Sequence, residues 1–413
     1  PSETASFELV AEGLHEPLGV LVEPDGSLLT ACRGQLTRLV DADGDHVYET
    51  QECVCDWRRI SGNYHEYNFG PSRAIDGSYW ITTNKPFGGE RIGRVGWSGY
   101  GLRAPAGVHT APWGEVFYTD NQGEWCGASK LSLLRPGSYH GHPWGLKSTR
   151  DPAWTWKEPQ ALTEGELFAD IAESGDWPEF QMPAIWFPYD KMGRSPAGFV
   201  WDETEGAFGP FAGQLFVADQ YEAAVFRVDL ERVRGHWQGA CFRFRDALSC
   251  GAIRLAVTPT GALLVGETDR GWGSKGSNTE GLERIDFSGR APFEIHTMRL
   301  LPTDDGFRLR FTAPADPTSL ETPGAFKMES YTYVSSERYG SPALDRAPHE
   351  VVGVEVHPDG YGVDLFVEDL REGYVHELDA RVVRSAGGES EGEPEAGLGL
   401  LHPRGYYTLV RLP

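Results

Sequence analysis

A recurring pattern of apolar and polar positions runs through the first 295 residues of the chain. Each copy consists of a short apolar run, a turn that contains Gly or Asp-Gly, and a strongly apolar segment. The copies begin at Gly19, Asn68, Gly107, Ala197 and Arg254. The pattern predicts two antiparallel β-strands per copy, because glycine readily adopts the positive φ that such turns need.

The spacing of these copies predicts a β-propeller. Repeats of roughly 40–50 residues that each contain several short strands are typical of propeller blades. The interval from Gly107 to Ala197 is about twice as long as its neighbours. We therefore expect it to contain a weaker blade and an insertion over residues 151–176. Five visible copies and one hidden copy predict an all-β, six-bladed propeller over residues 1–295.

The pattern changes close to Pro292. From Gly306 onward, segments such as GFRLRFTAPADP and VVGVEVHPDGYGVDLFVED alternate apolar and polar residues, and the chain ends with HPRGYYTLVRLP. This alternation predicts a C-terminal β-sandwich of the immunoglobulin or fibronectin kind over residues 296–413. We expect the sandwich to pack on the side of the propeller and to carry no catalytic residue. The interface is expected to be filled by Tyr331, Tyr333 and Tyr339.

Composition agrees with many short strands joined by tight turns. Aromatic residues make up 12% of the 413 residues, and there are 51 glycines and 28 prolines. The formal net charge of −24 argues against a nucleic-acid partner and against binding to anionic membranes, because both need a basic surface. No apolar run is long enough to insert into a membrane as a helix. A local basic site for an anionic substrate is still compatible with this charge.

Cysteine usage and the start of the chain bear on localisation. The six cysteines form no CxxC or CxxCH motif, which argues against a zinc ribbon and against a c-type haem. Cys241 and Cys250 flank a possible hairpin, and an exported protein would permit a disulfide between them. The chain begins at Pro1 without a Met or a signal-like apolar segment. We therefore expect a secreted or periplasmic protein from which the signal peptide has been removed.

Several histidines are candidates for chemistry at the propeller axis, where loops distant in sequence converge. His65, His109, His140 and His142 surround Asp120 along the chain. Imidazole and carboxylate ligands suit a transition metal, for which His140 and His142 are the candidate ligands. Acid–base catalysis is a second possibility, and hydrogen bonding that locks the blades together is a third.

Two further groups suggest binding. Asp41, Asp43 and Asp45 alternate in DADGDHVYET, an arrangement that suits either a structural calcium ion or a solvated turn. Arg194, in YDKMGRSPAGF, is expected either to hold a carboxylate or sulfate near the axis or to be ordinary surface charge. Trp272 is a candidate platform for a sugar ring, although a tryptophan packed between blades is equally ordinary.

Three segments resemble a known family. LRAPAGVHTAPWGEVFYTDNQGEWCGASKLSLL, GNYHEYNFGPSRAIDGSYW and RLAVTPTGALLVGETDRGWGS are similar to soluble quinoprotein aldose and sorbosone dehydrogenases. These enzymes are six-bladed propellers that use pyrroloquinoline quinone (PQQ) and calcium. The chain resembles still more closely the propeller modules of planctomycete and verrucomicrobial proteins often labelled membrane-bound dehydrogenases. That closer likeness includes WFPYDKMGRSPAG, FRLRFTAPADP, YGSPALD and the YYTL ending, and it covers nearly the whole chain.

The resemblance implies roles for particular residues. His65 takes the position of the general base that removes the hydroxyl proton of the sugar. Arg103 takes the position of the arginine near the quinone carbonyl, where a fixed cation stabilises negative charge. Arg254 takes the position of an arginine that holds the cofactor's carboxylates. Gln122 and Gly123 take positions whose backbone carbonyls bind the cofactor's calcium.

Other positions depart from the family pattern. Ala104 stands where the family has asparagine, Gln220 or Tyr221 where it has a cofactor lysine, and Ala252 where it has a second carboxylate-binding arginine. Residues 128–130 replace the acidic pair that binds structural calcium. The candidate substrate or axis residues are Glu66, His109, Asp120, Arg194 and Trp272.

These observations leave three hypotheses. The first is a PQQ- and calcium-dependent sugar dehydrogenase that acts on an aldose or alcohol, with a His base and an Arg at the axis. Its ligand would be a sugar or polysaccharide, and its redox partner a cytochrome or another electron acceptor. The second is a non-redox, metal-assisted polysaccharide lyase or glycoside-cleaving enzyme on the same propeller. The third is a glycan-binding module without catalysis.

Overall fold

A computed structural model describes residues 7–56, 67–83, 99–150, 161–174, 180–387, 389–390, 393–394 and 397–413. The first sheet contains β1 (Val20–Val22), β2 (Leu28–Ala31), β3 (Gln35–Val40) and β4 (Thr50–Asp56). The second contains β5 (Asn68–Arg73) and β6 (Tyr79–Thr83). A short strand, β7 (Gly99–Tyr100), follows them.

Three more sheets complete the propeller part of the described chain. The strands after β7 are β8 (Pro105–Thr110), β9 (Val116–Asp120), β10 (Ser129–Leu134), β11 (Ser138–Tyr139) and β12 (Ile185–Phe187). The third sheet has the order β12-β10-β9-β8, and β11 pairs with β7. The fourth sheet starts with β13 (Pro196–Trp201), β14 (Leu215–Asp219), β15 (Ala224–Val233) and β16 (His236–Arg245). The fifth contains β17 (Ala252–Val257), β18 (Leu263–Thr268) and β19 (Glu280–Ile285).

Helices are scarce among the described residues, as the sequence predicts. A 3-10 helix covers Pro143–Arg150, α1 covers Phe168–Ser174 and α2 covers Pro317–Glu321. Asp316 caps α2 by accepting a hydrogen bond from the backbone N–H of Thr318.

The first strands of the five sheets pack side by side, and glycine allows their close approach. A Cβ atom on Gly107 of β8 would lie 2.3 Å from the carbonyl oxygen of Ala197 in β13. A Cβ atom on Gly198 would lie 2.8 Å from the carbonyl oxygen of Ile253 in β17. Any side chain at these positions would push neighbouring sheets apart. The all-β propeller class is therefore confirmed, with the first strand of each sheet at the axis.

The hidden blade expected between Gly107 and Ala197 is not found among the described residues of that interval. Strand β12 returns to the third sheet, where Trp186 pairs with Lys130. The length of the interval therefore reflects an insertion that includes β11, the 3-10 helix and α1. The described residues form five blades.

Among the described residues, β1 of the first blade and β19 of the last blade each expose one face. Val20 and Val22 of β1 are 65% and 67% exposed, whereas Leu21 between them packs toward the second sheet. Leu282 of β19 is 55% exposed, whereas Ile285 packs toward the fourth sheet.

The C-terminal region contributes two sheets. Its strands are β20 (Ile295–Leu300), β21 (Gly306–Phe311), β22 (Lys327–Thr332), β23 (Leu344–His349), β24 (Val351–Val356), β25 (Gly362–Val367), β26 (Tyr374–Asp379), β27 (Glu389–Ser390), β28 (Glu393–Pro394) and β29 (Arg404–Leu409). One sheet has the order β20-β21-β25-β24. The other, β29-β26-β22-β23, continues the fourth blade because β29 pairs with β16.

Apolar side chains from both C-terminal sheets form one core. Phe307 and Leu365 of one sheet and Leu378 and Tyr407 of the other are buried in the same cluster. This is the two-layer packing that the predicted sandwich requires. Phe242 of β16 also belongs to this cluster, so the propeller and the C-terminal region share a sheet and a core.

The interface expectations are partly confirmed. Tyr331 and Tyr333 are buried, and the Tyr333 ring lies 5.2 Å from that of Trp186 in the third blade. Tyr339 is 61% exposed and does not fill the interface. The possible disulfide is wrong: Cys241 and Cys250 are both free and buried in the structure.

Candidate functional site

The candidate site lies on the face of the ring where the first strand of each blade begins, which we call the axial face. The loops before the first strands and after the second strands meet there. A Cβ atom on Gly271, after β18, would lie 3.7 Å from the hydroxyl oxygen of Tyr67, before β5. Loops of the second and fifth blades therefore approach each other across the axis.

Arg254 occupies the axis beneath this face. Its guanidinium donates to the carbonyl oxygens of Leu18 at 2.7 Å, Ala106 at 3.1 Å and Ile253 at 2.6 Å. It also lies over the ring of Phe69 at 5.3 Å. Burial lowers the pKa of Arg254 from 12.5 to about 10. Arg254 thus ties together the first, second, third and fifth blades.

The position of Arg103 is fixed by Asp120 at the end of β9. The Asp120 carboxylate accepts hydrogen bonds from the backbone N–H of Arg103 at 3.0 Å and of Ala104 at 2.6 Å. In the next blade, the Asp219 carboxylate likewise accepts hydrogen bonds from the backbone N–H groups of Arg194 at 3.0 Å and Ser195 at 2.8 Å. Asp120 is buried, and burial raises its pKa. The repetition assigns Asp120 a structural role in the loop rather than contact with a ligand.

The Arg103 side chain lies at the edge of the axial face. Its Nε and Nη2 donate to Glu124 Oε2 at 3.2 and 3.1 Å, and its guanidinium lies 5.1 Å from the ring centre of Tyr339. A Cβ atom on Gly123 would lie 1.9 Å from Arg103 Nε, so only glycine permits this course of the side chain. The arrangement offers a charged pair beside an exposed ring.

The adjacent blade presents Arg194 between two tyrosines. Its guanidinium lies 4.6 Å from the ring centre of Tyr189 and 4.4 Å from that of Tyr221, and it pairs with Asp190. Stacking of this kind holds a guanidinium in a defined plane. Burial opposes the charge of Arg194, but the Asp190 hydrogen bond and nearby charges raise its pKa overall.

The fifth blade contributes Trp272, which is 55% exposed. Gln220, at the family lysine position, donates from Nε2 to the carbonyl oxygen of Arg270 at 3.3 Å. Nearby, Lys275 pairs with buried Glu222 at 2.7 Å. Aromatic side chains therefore line the axial face on three neighbouring blades.

Three of the predicted histidines make hydrogen bonds within the protein. His109 hydrogen-bonds through Nδ1 to the carbonyl oxygen of Thr110 and packs beside Trp201, at the end of β8 remote from Arg103. His140 is fully buried, its Nε2 lies 2.9 Å from Ser138 Oγ, and burial lowers its pKa well below the usual value. His142 is buried and accepts a hydrogen bond at Nδ1 from the backbone N–H of Trp144. These contacts fit the structural interpretation of the histidines.

The structure bears differently on the two predicted metal sites. Among the described residues, the one group of three His, Cys, Asp or Glu side chains arranged to hold a metal is Asp41, Asp43 and Asp45. His140 and His142 belong to no such group within the described residues, and the transition-metal alternative stays a prediction. The calcium site at the aspartates stays a prediction.

Two predicted cofactor contacts are contradicted. The Gly123 carbonyl oxygen accepts hydrogen bonds from the backbone N–H groups of Cys126 at 3.1 Å and Gly340 at 3.0 Å, so its lone pairs are used. The Arg254 guanidinium faces main-chain carbonyls at the axis rather than an opening. Gln122 is buried, and its side-chain amide lies against Gly340. His65 and Glu66 lie outside the described residues.

The described residues do not fit PQQ. A cofactor with three carboxylates needs fixed cations, but Arg254 is committed to carbonyl groups and Ala252 and Gln220 carry no charge. Three described cations of the axial face have acidic partners: Arg103 has Glu124, Arg194 has Asp190, and Lys275 has Glu222.

Sequence reasoning missed Tyr189 and Glu124 as members of the site, and it named Tyr221 only as a replacement for the family's lysine. A signal was present for Tyr189, which lies five residues before Arg194 in the same loop motif. Tyr339 was assigned to the interface, and nothing in its local sequence places it beside Arg103, which is 236 residues away.

No family model matches the chain, and no curated protein matches it. Among solved structures it is similar to a glucose dehydrogenase from Thermus thermophilus, at 17% identity over 67% of this chain and 99% of that one, with a TM-score of 0.38. It is also similar to a PQQ-bound aldose sugar dehydrogenase from Streptomyces coelicolor, at 15% identity over 68% and 96% of the two chains, with a TM-score of 0.36. A gluconolactonase from Xanthomonas campestris matches at 13% identity over 61% and 83%, with a TM-score of 0.27.

These matches include the class of propeller that the sequence resemblance names. Identities this low and TM-scores below 0.5 assign neither a reaction nor a ligand to this chain. The closer likeness to planctomycete modules stays a prediction. None of the helices in the described residues is long and apolar enough to cross a membrane.

Proposed function

We propose that the axial face binds carbohydrate and that the protein acts there without PQQ. This favours the non-redox alternatives of the sequence analysis over the dehydrogenase. The observation that supports the proposal is the series of aromatic and arginine side chains on adjacent blades: Arg103, Tyr189, Arg194, Tyr221 and Trp272.

The chemistry of these side chains suits a sugar. Aromatic rings bury the C–H faces of a sugar ring, whereas charged groups at their edges hydrogen-bond its hydroxyl groups. Arg103 supplies donors and Glu124 supplies acceptors at one end of the series. Tyr189 and Tyr221 hold the Arg194 guanidinium in place, which reduces the entropy lost on binding.

If the protein is catalytic, the family resemblance implies that His65, which lies outside the described residues, is the base and that Arg103 stabilises negative charge. A lyase would use these roles only on a polysaccharide that contains acidic sugars, because the proton is removed next to a carboxylate or carbonyl and the guanidinium stabilises the resulting anion. Glycan binding without turnover is the second candidate, supported by the acidic partners of Arg103, Arg194 and Lys275.

One experiment separates the hypotheses. The protein is incubated with PQQ, calcium, a sugar panel and a dye acceptor, and in parallel with polysaccharides while reducing ends and unsaturated uronides are measured. We expect no dye reduction. We also expect no stoichiometric PQQ binding when the mixture is separated by gel filtration, and retention of the protein on at least one immobilised polysaccharide. Sugar-dependent dye reduction that requires added PQQ would overturn the proposal.

Export, calcium binding and an electron-accepting partner stay predictions. Secretion or periplasmic localisation fits a carbohydrate ligand, and fractionation of cells that express the full-length natural protein tests it. A cytochrome partner is expected only if the dye assay is positive.

A further inference from the structure

The C-terminal region reaches the axial face through one loop. Residues 333–343 connect β22 with β23 and lie against the loop that follows β9. The backbone N–H of Gly340 donates to the carbonyl oxygen of Gly123 at 3.0 Å, and the backbone N–H of Ser341 donates to the carbonyl oxygen of Gly127 at 2.8 Å. In the opposite direction, the backbone N–H of Trp125 donates to the carbonyl oxygen of Ser336 at 2.7 Å. Three main-chain hydrogen bonds therefore fix this loop on the propeller.

The same loop is held on its other side by the insertion of the third blade. Glu164 accepts hydrogen bonds from Ser336 Oγ at 2.8 Å and from the backbone N–H of Glu337 at 2.7 Å. Gly340 has φ +68°, and a Cβ atom there would lie 1.8 Å from Gln122 Nε2. Any other residue there would have to displace the Gln122 side chain and adopt a backbone conformation that L residues rarely adopt.

This anchoring projects Tyr339 over the site. One side of its ring faces the Arg103 guanidinium at 5.1 Å, and the side chain remains 61% exposed. Most of the contact area of an exposed tyrosine on a fixed loop is available to a ligand. Tyr339 thus extends the aromatic series of the axial face at the Arg103 end.

The series spans too many blades for one sugar ring. It starts at Tyr339 above the third blade, continues through Tyr189 and Tyr221 at the fourth, and ends at Trp272 on the fifth. A ligand that contacts rings on three blades must be extended. Glu124 and Asp190 neutralise the two arginines of the series, and the net charge of −24 disfavours a polyanion.

We propose that Tyr339 is a sugar-binding residue supplied by the C-terminal region, and that the ligand is an uncharged oligosaccharide or polysaccharide. This inference rests on the proposed carbohydrate function. It adds a binding residue to a region that is expected to carry no catalytic residue, and an uncharged ligand favours binding or glycoside cleavage over a lyase.

Affinity gel electrophoresis tests the inference with four probes: β-glucan, xylan and galactomannan as uncharged polysaccharides, and alginate as an anionic one. The variants are Tyr339→Ala, Tyr339→Phe and the control Tyr361→Ala. Tyr361 is a suitable control because it is also exposed, at 39%, but lies in a turn of the other C-terminal sheet. There its carbonyl oxygen accepts a hydrogen bond from the backbone N–H of Phe311. Thermal unfolding of each variant shows that the fold is kept.

We expect an uncharged polysaccharide to retard the wild-type protein. Tyr339→Ala should weaken that retardation about tenfold or more, because it removes the ring that stacks on the sugar. Tyr339→Phe and Tyr361→Ala should bind within about twofold of wild type. Gly340→Ala should weaken binding without unfolding the protein, since the added Cβ displaces the loop.

Each other result has one meaning. If wild type and Tyr339→Ala are retarded equally, Tyr339 is not a binding residue and the proposed function stands. If alginate alone retards the wild type, the uncharged class is wrong. If no probe retards the wild type, the proposed carbohydrate function fails and the role of Tyr339 fails with it.

Discussion

Replacement of Arg254 distinguishes a structural residue from a cofactor-binding one. The family resemblance implies that Arg254 holds cofactor carboxylates, whereas in the structure its guanidinium donates to Leu18, Ala106 and Ile253. If it joins the blades, Arg254→Ala should destabilise the protein without any cofactor present. If it served only a cofactor, stability in the absence of PQQ should be unchanged.

The size of the effect follows from two opposing contributions. Hydrogen bonds to a charged group contribute about 1.5–3 kcal/mol each, so three such bonds contribute about 4.5–9 kcal/mol before other terms. Burial of the charge opposes this, because the pKa of Arg254 falls from 12.5 to about 10, which corresponds to about 3 kcal/mol. We expect a net loss of about 3 kcal/mol in Arg254→Ala, within a range of about 1–6 kcal/mol.

The assay is urea unfolding followed by tryptophan fluorescence, with thermal unfolding as a second measurement. The control is Arg284→Ala, because Arg284 belongs to the same blade and its side chain is 49% exposed beside Asp286. An exposed pair contributes little, so the control should stay within about 0.5 kcal/mol of wild type. An Arg254→Ala variant as stable as this control would refute the structural role.

Three further predictions concern other parts of the chain. Millimolar calcium should raise the unfolding temperature of wild type but not of Asp43→Asn, because the ligand oxygens of Asp41, Asp43 and Asp45 lie within 4.8 Å of one another; equal shifts in both proteins would argue against a calcium site there. Burial lowers the pKa of His376 from 6.5 to about 3. The unfolded state therefore takes up the proton first as pH falls below 6.5, and lowering pH from 7 to 5 should cost about 2 kcal/mol through this group; His376→Gln should show a smaller pH dependence in unfolding titrations, and an unchanged one would exclude it. Gly107→Ala should lower stability by about 1–3 kcal/mol or more, because its Cβ would lie 2.3 Å from the Ala197 carbonyl oxygen; calorimetry that finds wild-type stability would contradict this packing.

Local sequence was sufficient for the strands and their turns. The copies that begin at Gly19, Asn68, Gly107, Ala197 and Arg254 correspond to the first strands of the five blades. Alternation and glycine turns are encoded within a few residues, so they are readable without the fold. The change of pattern near Pro292 likewise matches the start of β20 at Ile295.

The number of blades could not be predicted from local sequence patterns. A long interval between copies looks the same in sequence whether it contains a blade or an insertion. The outcome depends on pairing between residues far apart, and Trp186 pairs with Lys130 instead of starting a new sheet. The continuous sheet across β16 and β29 depends on contacts of the same kind.

For the candidate site as well, the sequence determined some features and the tertiary structure determined others. Sequence analysis placed Arg103 and Arg194 near the axis, because both precede the first strand of a blade. Only the tertiary structure decided what surrounds them. Arg254 donates to Leu18 across 236 positions of the chain, and Tyr339 reaches Arg103 from the C-terminal region. Contacts at such separations depend on how whole sheets pack, and no local pattern of apolar and polar residues encodes them.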